Sequence, residues 1–184
     1  MITHKGKKID YIEHGEGPAI LFIPGSFSTP SAWSAVQKLM PPNYRFISTS
    51  LCGYGSTEEL RSTDNYGMHN LIDIIETVVA KIGQPVHLVG HSFGGMVALA
   101  CALSDRFEIL SITTFEANPI TLIDACRHRH LFEETIKIKD EFEAAFNAQN
   151  KDAARIIIDF WGGDGSFASM PSSVQQYCRQ TAYN

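Results

Sequence analysis

The chain has 184 residues, of which 44% are hydrophobic and 19% charged, and its 15 Lys+Arg against 20 Asp+Glu give a formal net charge of −5. This composition excludes a disordered, collagen-like or coiled-coil protein and suits roughly one globular domain, large enough to bury about 70% of the surface of its unfolded chain. An acidic balance offers no basic surface to phosphate backbones or anionic lipid, so neither nucleic acid nor membrane is an expected partner. The apolar stretches also fall short of the ~18 residues that a membrane span needs. Cys52, Cys101, Cys126 and Cys178 are widely spaced without a C-x-x-C pair and read as separate thiols of a reducing compartment. The segment 1–8 turns polar and charged at once, unlike a signal peptide, so a cytoplasmic location is expected.

In chain order, the alternation over Lys8–Glu13 followed by the break Gly15-Glu-Gly-Pro18 suggests an antiparallel edge hairpin. Four β-branched apolar runs follow, at Ala19–Pro24, Arg45–Leu51, Val86–Gly90 and Ile109–Phe115. Near-continuous apolar runs of this length are the mark of strands buried on both faces of a parallel sheet. Between them, Met68, Leu71, Ile72, Ile75, Val78, Val79 and Ile82 keep the spacing of an amphipathic helix, with Asp64 or Asn65 as its cap and Gly83 as its stop. The segment Met96–Leu103 is apolar all round, which predicts a helix buried on most sides. Strand and helix therefore alternate, as in an α/β sandwich with right-handed crossovers.

After Asn118-Pro119 no strand-like run appears. Phe132, Ile136, Phe142 and Phe146 mark one helix, Ala153–Trp161 a second, and Val174, Tyr177 and Cys178 a third. The expected organisation is an α/β core over 1–119 and a helical appendage over 120–184. Within the appendage, Trp161-Gly-Gly-Asp-Gly165 resembles a helix stop followed by a turn, and Glu133–Glu143 the solvated face of a helix.

The most informative stretch is Gly90-His91-Ser92-Phe93-Gly94-Gly95, a G-x-S-x-G immediately after a buried strand and immediately before a helix. That context suits a serine nucleophile on a strained strand-to-helix turn, where small residues at 90 and 94 avoid clashes. The turn sets the Ser92 hydroxyl beside a helix N-terminus, with the Phe93 N–H aimed at a developing oxyanion.

With two earlier blocks, this elbow resembles the α/β-hydrolase superfamily over residues 1–119, and the helical tail resembles that superfamily's cap. Phe22-Ile-Pro24-Gly25-Ser26-Phe27 with Trp33 looks like the oxyanion loop, and Ser50-Leu-Cys52-Gly53-Tyr54-Gly55-Ser56 looks like the Asp-x-x-Gly-x-Gly-x-Ser turn. Pro24 stands where the family usually has His, which leaves the Ser26 N–H as the second oxyanion donor. Ser50 stands where the family has Asp, and together with Cys52 this predicts a looser turn.

A serine hydroxyl needs a base, and the base needs an acid to hold its tautomer. In this fold the chain order is Ser, acid, His. Glu116, 24 residues after Ser92, is the candidate acid, or else a residue that caps the junction to the helical tail; Asp124 is a weaker candidate. None of His4, His14, His69, His87, His91, His128 and His130 falls where the family places its base. His91 is expected to point away from Ser92, His87 to be a hydrogen-bonded core residue, and His128 and His130 to be solvated rather than a metal pair. The missing base and the missing last strands together point to an incompletely represented chain or a broken gene product.

The resemblance implies a serine hydrolase of an ester or related acyl bond in a small, partly apolar substrate, with no cofactor and no metal, and with the cap as pocket roof. A catalytically silent hydrolase-like protein that binds a small molecule in the same pocket is the alternative. An exposed sheet edge would further favour a homodimer formed by exchange of cap helices.

Overall fold

The strands are β1 (Ile2–His4), β2 (Lys7–Ile9), β3 (Ile12–His14), β4 (Ala19–Ile23), β5 (Arg45–Ser48), β6 (Val86–His91) and β7 (Ile109–Phe115). β1 and β2 form a small antiparallel ladder, and the other five form a sheet in the order β3-β5-β4-β6-β7. β4 pairs in parallel with β5 on one side and β6 on the other, and β6 pairs in parallel with β7. β4 is buried along its whole length, as its unbroken apolar run requires. The computed structural model describes residues 1–120, 122 and 128–182, which divide into two compact units, Met1–Asn118 and Pro119–Asn184.

Four expectations about the first unit need correction, two in the sheet and two in the helices. The segment 8–13 is not one strand of a hairpin, because it breaks at Asp10, and β3 pairs antiparallel with β5 rather than with the strand that follows it. The break has a local cause: the Asp10 N–H donates to the Thr57 hydroxyl and the Asp10 carbonyl accepts from the Thr49 hydroxyl, which diverts the backbone from a continuous ladder. β7 is not buried on both faces. It is an edge strand, as β3 is at the other end of the sheet, and Leu110 and Phe115 are exposed.

The helices of this unit are α1 (Ser34–Gln37), which follows a 3-10 turn at Pro30–Trp33, α2 (His69–Ile82) and α3 (Phe93–Ser104). The periodic residues of α2 form its buried face, and Gly83 ends it in the left-handed conformation with its N–H on the Val79 carbonyl. Neither Asp64 nor Asn65 caps the helix. Ser62 and Asn65 close a reverse turn on each other's backbone, and Asn70 donates to the Asn65 carbonyl, so the helix starts a turn later. On α3, Gly94, Gly95, Val97, Ala98 and Cys101 are buried while Leu99 and Leu103 are exposed. A helix apolar all round is thus buried on one face only.

In the second unit, α4 (Arg129–Asn147), α5 (Ala153–Gly162), α6 (Ser166–Ser169) and α7 (Ser172–Thr181) follow one another. The Gly-Gly-Asp-Gly stretch ends α5, with Gly163 and Gly165 both at positive φ. Asp159 on α5 accepts from the Phe167 N–H, and the Arg179 guanidinium lies 5.1 Å from the Phe167 ring centroid, which ties α6 to both neighbours.

Candidate active site

The site is built around the turn from β6 to α3. Ser92 holds φ 51 and ψ −122, a region that side-chain-bearing residues avoid and that persists where its surroundings enforce it. The surroundings do so here. A Cβ at Gly94 would lie 2.4 Å from both the Ile23 and Pro24 carbonyl oxygens, and one at Gly90 2.5 Å from the Gly94 oxygen, so β4, the elbow and α3 approach backbone to backbone. The Ser92 N–H donates to the Phe115 carbonyl at 2.8 Å, which ties the elbow to the end of β7. The first helical bonds run from Gly95 and Met96 to the Ser92 carbonyl. The Phe93 N–H lies ahead of them, among the helix-start donors that carry the positive end of the helix dipole.

The loop after β4 reaches the same point. A Cβ at Gly25 would meet the Ser92 Cβ at 3.1 Å and the His91 Nδ1 at 3.2 Å. Ser26 is therefore one peptide from the elbow, followed by Phe27 at φ 57 with its ring 6.0 Å from that of Tyr54.

Glu116 is exposed at the end of β7, also at positive φ, 53. Its carboxylate meets His91 Nε2 at 3.3 Å. The sequence points to Glu116 but not to this partner, because the adjacency is created by the parallel register that sets His91 opposite Phe115. Among the described residues no histidine hydrogen-bonds the Ser92 hydroxyl. His87 bonds to Ser111 at 2.8 Å across β6 and β7 and is half-buried rather than a core residue. Asp124 and Cys126 lie outside the described residues.

The turn over 50–57 is not loosened by Ser50. The Ser50 hydroxyl donates to Asp10 Oδ2 at 2.8 Å, and the same oxygen accepts the Ser56 N–H at 2.7 Å. Asp10 thus supplies from the neighbouring segment the carboxylate that Ser50 lacks. A Cβ at Gly55 would collide with both partners. Cys52 is fully buried within this turn, and burial pushes its thiol up, as it pushes Cys101 to about 12. Both thiols stay protonated at neutral pH and are poor nucleophiles.

Beside the elbow lies a cavity of about 540 Å³, with Pro24, Trp33, Val36 and Phe115 as apolar walls and His91 and Glu116 at its polar side. Its size falls in the range of small-molecule sites.

A strained residue between the C-terminal end of a central parallel strand and a helix, in a sheet of this order, defines an α/β hydrolase fold. The chain belongs to the Alpha/beta hydrolase family, whose profile matches residues 20–181. It is 29% identical over 105 residues to a pimeloyl-[acyl-carrier protein] methyl ester esterase of Aeromonas salmonicida, a match that covers 57% of this chain and 40% of the esterase. The thioesterase domain from the curacin biosynthetic pathway superposes with a TM-score of 0.57 at 29% identity, over 63% of this chain and 44% of that domain. An alpha/beta hydrolase from Sphaerobacter thermophilus superposes with a TM-score of 0.69 over 97% of this chain and 67% of its own, at 15% identity, a likeness of fold alone. The chain thus spans about two fifths of the length of the esterase it matches. No helix among the described residues is long and apolar enough to cross a membrane.

Proposed function

We propose that this chain carries the nucleophile and the oxyanion donors of a serine hydrolase that cleaves an ester or related acyl bond of a small molecule. The observation that carries the reading is the conformation of Ser92, φ 51 and ψ −122 at the N-terminus of α3. In the reaction the Ser92 oxygen forms a bond to the substrate carbonyl carbon while its proton passes to a base, and the carbonyl oxygen becomes an oxyanion held by the Phe93 and Ser26 N–H groups. Collapse expels the leaving alcohol with that proton, and water then releases the acyl group by the same steps. Glu116 is the acid that would orient a base histidine, and none of the seven histidines of this sequence, all among the described residues, hydrogen-bonds the Ser92 hydroxyl. The ester chemistry named for the two relatives at 29% identity supports the same reading.

A fluorophosphonate probe should label the wild-type chain and not Ser92→Ala. Equal labelling of both proteins rejects Ser92 as nucleophile. A second reading, a catalytically silent binding protein, draws on the pairing of His91 with Glu116, which occupies the candidate acid. It predicts ligand binding without turnover, and hydrolysis of a chromogenic ester that Ser92→Ala abolishes would eliminate it.

A further inference from the structure

The cavity beside the elbow has walls of one kind and a rim of another. Trp33 and Phe115 face each other with ring centroids 6.3 Å apart and planes inclined at 51°, and Pro24 and Val36 extend the apolar wall. Among the lining residues only His91 and Glu116 are ionisable. The His91–Glu116 contact engages one carboxylate oxygen, and the Glu116 side chain is 84% exposed. A carboxylate that lines the same cavity as two aromatic rings attracts organic cations, through its charge and, where a ring face is met, through the ring quadrupole, and repels anions.

We propose that this cavity binds an apolar group that carries an ammonium, with the alkyl or aryl part against the wall formed by the Trp33–Phe115 pair and the cationic head toward Glu116, and that it discriminates against groups bearing a carboxylate. The inference rests on the hydrolase reading only in taking the bound group as part of the substrate; the binding itself does not require Ser92 to react. Glu116 acts here as a specificity residue, through charge at the pocket rim.

The test uses tryptophan emission. The chain has two tryptophans, Trp33 and Trp161, so in a Trp161→Phe background emission reports Trp33 alone. Titration with hexyltrimethylammonium, 1-hexanol and hexanoate should give saturable changes, with the cation bound about tenfold more tightly than hexanoate and the alcohol between them. Glu116→Gln, at an exposed position and checked for folding by circular dichroism, should bring all three within about threefold. The proposal is overturned if hexanoate binds as tightly as the cation, if the preference survives in Glu116→Gln, or if no ligand gives a saturable change. Phosphonate labelling that persists unchanged in Ser92→Ala, with the cation preference intact, would reject the hydrolase reading and leave the binding site standing.

Discussion

Ser92 at φ 51 and ψ −122 and Gly94 two residues on make opposite demands on the same turn. Strain at such a backbone position costs about 1–3 kcal/mol, whereas glycine adds ~0.5–1 kcal/mol of unfolded-state entropy. Ser92→Gly should therefore stabilise the fold by about 1 kcal/mol, seen as a higher urea midpoint, while it removes the proposed nucleophile. Gly94→Ala should do the reverse. Its Cβ meets two backbone oxygens of the β4 segment at 2.4 Å, and neither can turn aside as a side chain would, so a loss of about 2–3 kcal/mol is expected. A lower midpoint for Ser92→Gly, or an unchanged one for Gly94→Ala, would contradict this view of the elbow. The strand-to-helix turn at Ser92 was legible from G-x-S-x-G between an apolar run and a helical one. The contact between Glu116 and His91 was not, because two side chains 25 residues apart meet only through the register of β6 on β7.

Between elements, Asp10 takes over the role of a carboxylate that the 50–57 turn lacks, and this can be measured. Asp10→Ala leaves the buried Ser50 hydroxyl and the Ser56 N–H without their acceptor. A buried polar group deprived of its partner costs ~1–3 kcal/mol, so a loss of about 2 kcal/mol is expected. Ser50→Ala in the same background should add little, which a double-mutant cycle would show as coupling. Additive losses would mean that the two residues act independently. The edge strand β3 is held in a second way: Glu13 meets Arg45 on β5 at 2.6 Å, and Arg45 also donates to the Ile82 carbonyl at the end of α2. The Arg45 hydrogen bond, and then that of the Tyr11 hydroxyl, hold the Glu13 carboxyl below its usual range. A carboxyl lowered in the folded state stabilises above its unfolded value of ~4.3 and loses that contribution as pH falls through the folded one. After solvent screening this amounts to about 0.5 kcal/mol. Urea midpoints should thus fall more between about pH 5 and pH 3 in the wild type than in Glu13→Gln, and parallel curves would remove the ion pair from the account. Strand runs and the Gly83 stop were legible because they are local. The break at Asp10, the pairing of β3 with β5 and the late start of α2 were not, because each is decided by a partner distant in sequence or by a turn that competes with the helix.

For the molecule as a whole, the consequential feature is that β7 is the last strand of the sheet among the described residues. Ile109-Leu-Ser-Ile-Thr-Thr-Phe115 has no charge and no proline, lies at the end of the sheet, and exposes Leu110 and Phe115. Such an edge recruits another strand unless charge or a bulge defends it; β7 carries a register shift at Leu110, between Ile109 opposite Val86 and Ser111 opposite His87, so any pairing runs through Ser111–Phe115. Two copies related by a two-fold axis would pair antiparallel, and a register centred on Ile112 would bring Glu108 of each chain toward Glu116 of the other. Like charges facing each other across a strand pair weaken it, so the two glutamates limit an association that the strand between them favours. The expected behaviour is a weak, concentration-dependent dimer that tightens as added salt screens the two contacts. Glu108→Lys turns both repulsions into attractions and should tighten the dimer severalfold at low salt, with salt now weakening it. Thr113→Lys, at an exposed position in the strand, should loosen it at every salt concentration. Sedimentation equilibrium across these proteins distinguishes the cases: an association that ignores both substitutions does not run through β7, and the absence of any association, in Glu108→Lys included, rejects pairing at this edge.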